Sequence, residues 1–345
     1  MDAFIFGCLD TLPILVLGLI IAGMLFVLSK GADILVDQAV SLSVQWGVPK
    51  MIIGATIVSL GTTLPEASVS VLAAINGNPD LALGNAIGSI IADTGLIIGL
   101  AALIGKLPVD QIIVKRQGRI QVAAGFLLAL VSIPIFTQGQ GNISQWMGGI
   151  FIILLIVYIY FSIKWSKTPT LNQDGIETGG LDESIKVESK SPIFIRILKL
   201  MGGIFLVIAS SKILIPSVEI SAVRIGIPQS IIAATLVALG TSLPELVTAI
   251  TAVRKGHGEL AVGNIVGADI LNVLFVVGSA AAVTSGGLDV PVSFYKLQIP
   301  TMLIILVIFR LFTRGKNENI TKLEGLTLLL IYVVYIVLSY TWLRA

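Results

Sequence analysis

Gly61-Thr-Thr-Leu-Pro-Glu66 lies in the middle of an apolar run from Met51 to Ile75, and it returns as Gly240-Thr-Ser-Leu-Pro-Glu245 inside a second apolar run. A carboxylate in the middle of a membrane span is costly and marks a functional position by default. Gly loosens the backbone and Pro removes a helical N–H, so neither segment reads as a plain helix. Two such acids on two such segments point to one shared polar site at mid-membrane.

The rest of the composition agrees with a membrane setting. Of 345 residues, 55% are hydrophobic and 12% charged, and the mean hydropathy is +0.99. Soluble domains carry about twice that charged fraction. The apolar runs are long and continuous, unlike the alternating ten-residue segments of an outer-membrane barrel. A net charge of +2 does not suggest nucleic acid. Cys8 is the single cysteine, which excludes an internal disulfide and a cysteine-based metal site, and His257 is the single histidine. Asp2 and Asp10 replace a basic leader, so the first apolar run reads as a retained span.

At about 20 residues per crossing, spans are expected near 12–43, 50–75, 80–105, 117–136, 145–165, 192–223, 229–253, 259–283, 293–313 and 323–343. Between the fifth and sixth, residues 166–191 are rich in Asp, Glu, Lys, Gly and Thr and form no core, so they read as a flexible linker. A shift of 179 residues aligns the two sides without a gap. Gly47 and Pro49 fall on Gly226 and Pro228; Gly84, Asn85 and Gly88 fall on Gly263, Asn264 and Gly267; Asp93 falls on Asn272. An odd number of spans per half makes the halves enter the membrane in opposite directions. The expected fold is an all-α integral membrane protein of ten transmembrane helices in two inverted-topology repeats of five. Residues 1–165 are the first repeat, 166–191 the linker and 192–345 the second repeat.

Lysine and arginine set the orientation. With the N-terminus outside, the inner side receives Lys50, Lys106, Lys115, Arg116, Arg119, Arg254, Lys255, Arg310, Arg314, Lys316 and Lys322, together with the linker. The outer side keeps Arg224, Lys296 and Arg344. Both termini are therefore expected outside a cell membrane, and the linker in the cytoplasm. His257 falls in a Gly-rich inner loop and is expected to be solvated.

The ligand chemistry follows from the broken segments. Carbonyls freed near Ser59 and Gly61, the hydroxyls of Thr62 and Thr63 and the carboxylate of Glu66 form a set of hard oxygens, repeated by Ala238, Thr241, Ser242 and Glu245. Such oxygens suit Ca2+ and Na+ and not soft transition metals. The third span adds Ser89 and Asp93, four apart on one helix face. In the eighth span the hydroxyl is lost at Ala268 and the acid becomes the amide Asn272. Gly-xxx-Gly runs alone describe helix packing equally well, and a hydroxyl in a span often bonds its own backbone. Neither accounts for an acid beside Gly, Pro and paired hydroxyls at matching places in two halves.

At these motifs the chain resembles the cation/calcium antiporter superfamily, in particular its Na+/Ca2+ exchanger branch. The resemblance rests on Gly61–Glu66 with Gly84–Ser89 and Asp93, and on Gly240–Glu245 with Gly263–Gly267 and Asn272. It implies exchange of several Na+ for one Ca2+ at one central site, with no cofactor and no enzymatic step. It also implies that the first and sixth helices slide across the remaining bundle. By position, Glu66 and Glu245 are the shared carboxylates. Thr62, Thr63, Ser89, Asp93, Thr241, Ser242 and Asn272 are the surrounding oxygens, and the Ser59 and Ala238 carbonyls complete the shell. Prokaryotic members often carry Asn in the first repeat and Asp in the second; here the order is reversed, and Ala268 stands where Ser is common, which leaves the ion ratio open. The nearest alternative is an H+/Ca2+ antiporter. An intramembrane hydrolase is disfavoured for want of a suitable base. The partners expected are the transported ions and the lipid bilayer.

Overall fold

The computed structural model describes residues 2–109, 111–134, 141–166, 192–226, 240–314 and 318–342. Apart from its first residue, the expected linker lies outside the described residues, as does Ala238.

A short helix, α1 (Asp2–Asp10), precedes α2 (Ile14–Trp46), which starts after Pro13 and ends at Gly47 in a left-handed conformation. The next span is bent by 44° between α3 (Lys50–Thr62) and α4 (Leu64–Ile75). Then come α5 (Pro79–Ile104), α6 (Gln111–Ser132) and α7 (Gln145–Ser166). After the linker stand α8 (Ile193–Arg224), α9 (Leu243–Arg254), α10 (Gly258–Val283), α11 (Phe294–Phe312) and α12 (Lys322–Trp342). Seven of these, α2, α5, α7, α8, α10, α11 and α12, are long and apolar enough to cross a membrane, and the bent α3–α4 pair makes an eighth. This is an all-helical membrane protein. The expected fourth span is the helix α6, whose first half carries Lys115, Arg116 and Arg119. The expected seventh span, 229–253, is described only from residue 240.

The spacing of 179 residues reaches the backbone. Gly47 and Gly226 have φ of 62° and 87°, and Gly77 and Gly256 have φ of 76° and 78°. Each pair ends a helix where only glycine turns left without strain. Two short antiparallel ribbons tie the loops. In one, β1 (Leu107–Pro108) pairs with β4 (Asn319–Ile320), Leu107 opposite Ile320. In the other, β2 (Gly141–Ile143) pairs with β3 (Leu288–Val290), Asn142 opposite Asp289.

Burial sorts the helices into layers. The apolar stretch of α10 is 94% buried and that of α5 72%, whereas α2 and α12 are each 17% buried. With lipid as the outer solvent, an apolar helix needs no covering, so α2 and α12 present apolar faces outward. The centre is packed by small residues. A Cβ on Gly54 would stand 2.5 Å from the Leu260 carbonyl oxygen, and one on Gly267 2.5 Å from that of Ala55. Glycine thus lets α3 and α10 touch backbone to backbone. At the periphery α2 and α8 pair with one another and cross where a Cβ on Gly203 would meet the Gly31 carbonyl at 3.0 Å.

Candidate functional site

The bend between α3 and α4 falls at Thr63, with Pro65 in the first turn of α4. Since position 65 has no N–H, the Gly61 carbonyl loses its helical donor. The Ser59 carbonyl differs from expectation: it accepts the Thr63 amide at 2.9 Å and the Thr62 hydroxyl at 3.4 Å, so the break does not free it. The second half repeats the geometry. Ser242 flanks α9 with φ −84° and ψ 9°, against −79° and −4° for Thr63, and Pro244 lies in the first turn.

These breaks bring Glu66 and Glu245 into one buried space, each 1% exposed. Glu66 lies within electrostatic reach of Glu245 and Asp93. Hydroxyls cross between the halves. Thr63 donates to Glu245 Oε1 at 3.5 Å, with Thr62 beside the same carboxylate. Ser242, at the place matching Thr63, faces both Glu66 and Asp93, although its Oγ falls short of an ordinary hydrogen bond among the described residues.

A second layer has the same reciprocity. Thr241 donates to Asn85 Oδ1 at 3.0 Å, and Thr62 donates to Asn264 Oδ1 at 3.5 Å. Asn85 Nδ2 then donates to the Glu66 carbonyl at 3.2 Å and to Ser70 Oγ at 3.0 Å. Asn85, Asn264 and Ser70 were not among the expected site residues. The signal for the two asparagines was present, since both stand in the aligned Gly-Asn pairs.

Two π-helical stretches shape the facing helices. They run Asp93–Ile97 in α5 and Asn272–Val277 in α10 and begin at matching residues. Such widened turns occur often at functional positions. Asp93 and Asn272 are each 1% exposed, and Ser89 is 2% exposed one turn before Asp93. Both carboxylate oxygens of Glu66, Glu245 Oε2, Asp93 Oδ1, Ser89 Oγ and Asn272 Oδ1 find no hydrogen-bond partner among the described residues. Buried polar atoms are nearly always paired, so this group of oxygens requires an explanation. Among the described residues no three of His, Cys, Asp and Glu converge closely enough to hold a metal. Acids alone therefore do not make a cation site here; hydroxyl and carbonyl oxygens would have to complete it.

Asp269 was missed by sequence reasoning. It is 2% exposed, three residues before Asn272. Its Oδ2 accepts Thr94 Oγ1 and Gln121 Nε2, each at 2.5 Å. The rule that flagged Glu66 applies to it equally, but its partner under the 179-residue shift is Ile90, so the search for repeats passed over it.

In the turn before α10, His257 is half-buried and not solvated as expected. Its Nδ1 lies 3.2 Å from Lys50 Nζ, which also pairs with Glu259 at 2.8 Å. Burial first, and then the Lys50 charge, pull His257 below its ordinary pKa. Lys255 bridges to Asp37 at 2.8 Å and Asp33 at 3.2 Å. Partial burial opposes its charge, yet the bonds to Asp37 and Asp33 outweigh this and hold its pKa above the ordinary value.

Comparison with known proteins places this arrangement in a family. Residues 16–164 and 196–341 match the model of the sodium/calcium exchanger protein family. Inner membrane protein YrbG of Escherichia coli K12 is 32% identical over 96% of this chain and 98% of its own length. Sodium/calcium exchanger MaX1 of Methanosarcina acetivorans is 28% identical over 93% of this chain and 97% of its own. A solved structure of the sodium-calcium exchanger NCX_Mj, soaked without Na+ and Ca2+, superposes with a TM-score of 0.77 at 25% identity, covering 94% of this chain and 99% of that one. With both halves of the chain matched and the paired Gly-Thr-Thr/Ser-Leu-Pro-Glu stretches at its centre, the protein belongs to the sodium/calcium exchanger family.

Proposed function

We propose that this chain is a secondary antiporter that exchanges Na+ for Ca2+ by alternating access at the Glu66–Glu245 site. The observation that carries the reading is the set of buried oxygens around two neighbouring glutamates that have no partner among the described residues. A hard cation satisfies them, and their number exceeds what a single proton would serve. Glu66 and Glu245 are the shared carboxylates. Thr62, Thr63, Ser89, Asp93, Thr241, Ser242 and Asn272 supply further oxygens, with the Ala238 carbonyl and the Ser59 carbonyl, which the ion takes over from the Thr62 hydroxyl. The names of relatives such as MaX1 support the same ion pair.

The halves 1–165 and 192–345 are read as inverted repeats of five spans each. Support comes from the crossed hydroxyl pairs and from the matching left-handed glycines. Both termini lie outside and the linker 166–191 in the cytoplasm, on the strength of the lysine and arginine count. The pair α2 and α8 is read as the sliding element, since it is lipid-facing and crosses through small residues.

Coupling follows from charge. Two ionised glutamates neutralise one Ca2+, and with Asp93 ionised the site balances up to three Na+. An empty site leaves bare carboxylates in a low-dielectric interior, so the unloaded carrier resists crossing. A ratio of three to one moves one net charge per cycle, worth ~2.3 kcal/mol per 100 mV.

Glu66→Gln and Glu245→Gln are expected to lower Na+-driven uptake of radiolabelled Ca2+ into proteoliposomes by about 100-fold or more, equivalent to ~3 kcal/mol. Uptake that persists in both variants refutes the site. Uptake driven by a pH gradient and indifferent to Na+ replaces the counter-ion with a proton.

A further inference from the structure

Asp269, Thr94 and Gln121 are an addition to the duplicated site and not a copy within it. Under the 179-residue shift their counterparts are Ile90, Val273 and Pro300, none of which bears a polar side chain. Thr94 and Gln121 from the first half and Asp269 from the second therefore converge, and each has an apolar residue at its matching place. Asp269 Oδ2 holds two short bonds, both from neutral donors. Its Oδ1 has no partner among the described residues, nor have Gln121 Oε1 and the adjacent Asp93 Oδ1. Gln121 is 1% exposed. The charged group that faces Asp269 is another acid, Asp93, which lies within its electrostatic reach and that of Glu245. The cations of α6, Lys115, Arg116 and Arg119, are exposed and on other faces of that helix.

Two neighbouring buried acids with no basic partner among the described residues call for a positive charge. A proton satisfies one oxygen and leaves the others bare. An ion that gathers several oxygens at once fits three unpaired acceptors from three helices. When Na+ replaces Ca2+ at the two glutamates, this corner still lacks positive charge, the demand of one further small alkali cation.

We infer that Asp269, with Asp93 and the Gln121 side-chain oxygen, forms an additional Na+ seat beside the Glu66–Glu245 site, loaded and released once per transport cycle. The inference rests on the antiport reading above and goes further by assigning one of the Na+ ions to Asp269 and Gln121, residues from the two halves that the repeat does not copy. A Na+ held there adds a charge to the cycle that a symmetric site would not carry.

The test uses the full chain in proteoliposomes. The ratio of labelled Na+ to labelled Ca2+ and the reversal potential of the Ca2+ flux are measured for the wild type and for Asp269→Asn. The expected result is one Na+ and one net charge fewer per Ca2+ in the variant, at acid and alkaline pH alike. Unchanged ratios in Asp269→Asn overturn the inference and make Asp269 a static hydrogen-bond acceptor. A proton that accompanies each Ca2+ and disappears in the variant overturns it equally. Where Asp269→Asn fails to fold or to transport, Thr94→Val serves. It strips a donor from the carboxylate and leaves more negative charge for the ion, so half-saturation by Na+ shifts several-fold lower; an unshifted value overturns the inference. A wild type without any Ca2+ counterflow withdraws the antiport reading itself, and this inference with it.

Discussion

The helices α5 and α10 occupy matching places: a shift of 179 residues carries Pro79–Ile104 onto Gly258–Val283. Both begin after a non-glycine cap, Asn78 or His257, and both widen into a π turn at the same position. Their side chains diverge. Beyond the shared Asn85 and Asn264, α5 brings Ser89, Asp93 and Thr94 to the site; α10 brings Asp269 and Asn272, with Ala268 and Val273 where hydroxyls stood. Their surroundings diverge too, since α10 is almost wholly enclosed and α5 less so. Backbone geometry is thus shared between the halves while charge is not. A symmetric frame holds the glutamates opposite one another, and the asymmetric acids beside it are free to distinguish one ion from another.

The largest expected effect breaks the frame of α10. A Cβ at Gly267 would lie 2.5 Å from the Ala55 carbonyl oxygen and 2.6 Å from Ser59 Oγ. Gly267→Ala forces α3 and α10 apart at the point where Thr62 and Asn264 meet. It should destabilise the protein by about 1–3 kcal/mol or more, seen as a melting temperature several degrees lower in thermal denaturation of the purified chain. An unchanged melting temperature would mean that the helices separate freely, and the shared-frame argument would fail.

Next in size is exchange of the acid and amide between the helices. Asp93→Asn alone should reduce Na+-driven Ca2+ flux by about tenfold, a loss of ~1.4 kcal/mol. The double variant Asp93→Asn/Asn272→Asp restores the charge from the opposite side and should recover most of that flux, as expected for coupled neighbours. Equal loss in the single and double variants would show that the position of the acid, and not the total charge, decides.

The smallest effect concerns the helix starts. His257 has a folded-state pKa below its ordinary value of 6.5, by burial and by Lys50. The unfolded chain therefore takes up its proton first as pH falls, so this contribution to stability is present above about pH 6.5 and lost below it. His257→Asn, which installs the α5 cap residue, should remove the acid-side decline in melting temperature. The group is only half-buried, so the change should not exceed about 2 °C. An unaltered slope below pH 6.5 would place the decline elsewhere.

Much of the site was legible because its signals are local. An acid beside Gly, Pro and two hydroxyls inside an apolar run can be read from neighbouring residues, and so can its return 179 residues later. Asp269 was no less conspicuous as a letter, but its counterpart is Ile90, and a search by repetition discards what is not repeated. Thr94 and Gln121 read as ordinary polar residues until the fold brings them to one carboxylate. The Ser59 carbonyl, expected to be free, stays in the helical ladder because the break falls one turn later, at Thr63. The left-handed ends at Gly47 and Gly226 emerge only in the backbone, and the π turns carry no residue signature.

By itself the sequence determined that this is a helical membrane protein with a repeated acidic motif, since hydropathy and spacing act along the chain and need no partner. The tertiary structure alone decided that the Thr63 hydroxyl reaches Glu245 while Ser242 faces Glu66. It alone placed Asp269 beside Asp93 with no cation among the described residues, and it brought α3 and α10 into backbone contact through glycine. Those outcomes depend on which atoms meet across hundreds of residues, and in a low-dielectric interior the meeting of charges and donors sets the energy that pattern alone leaves open.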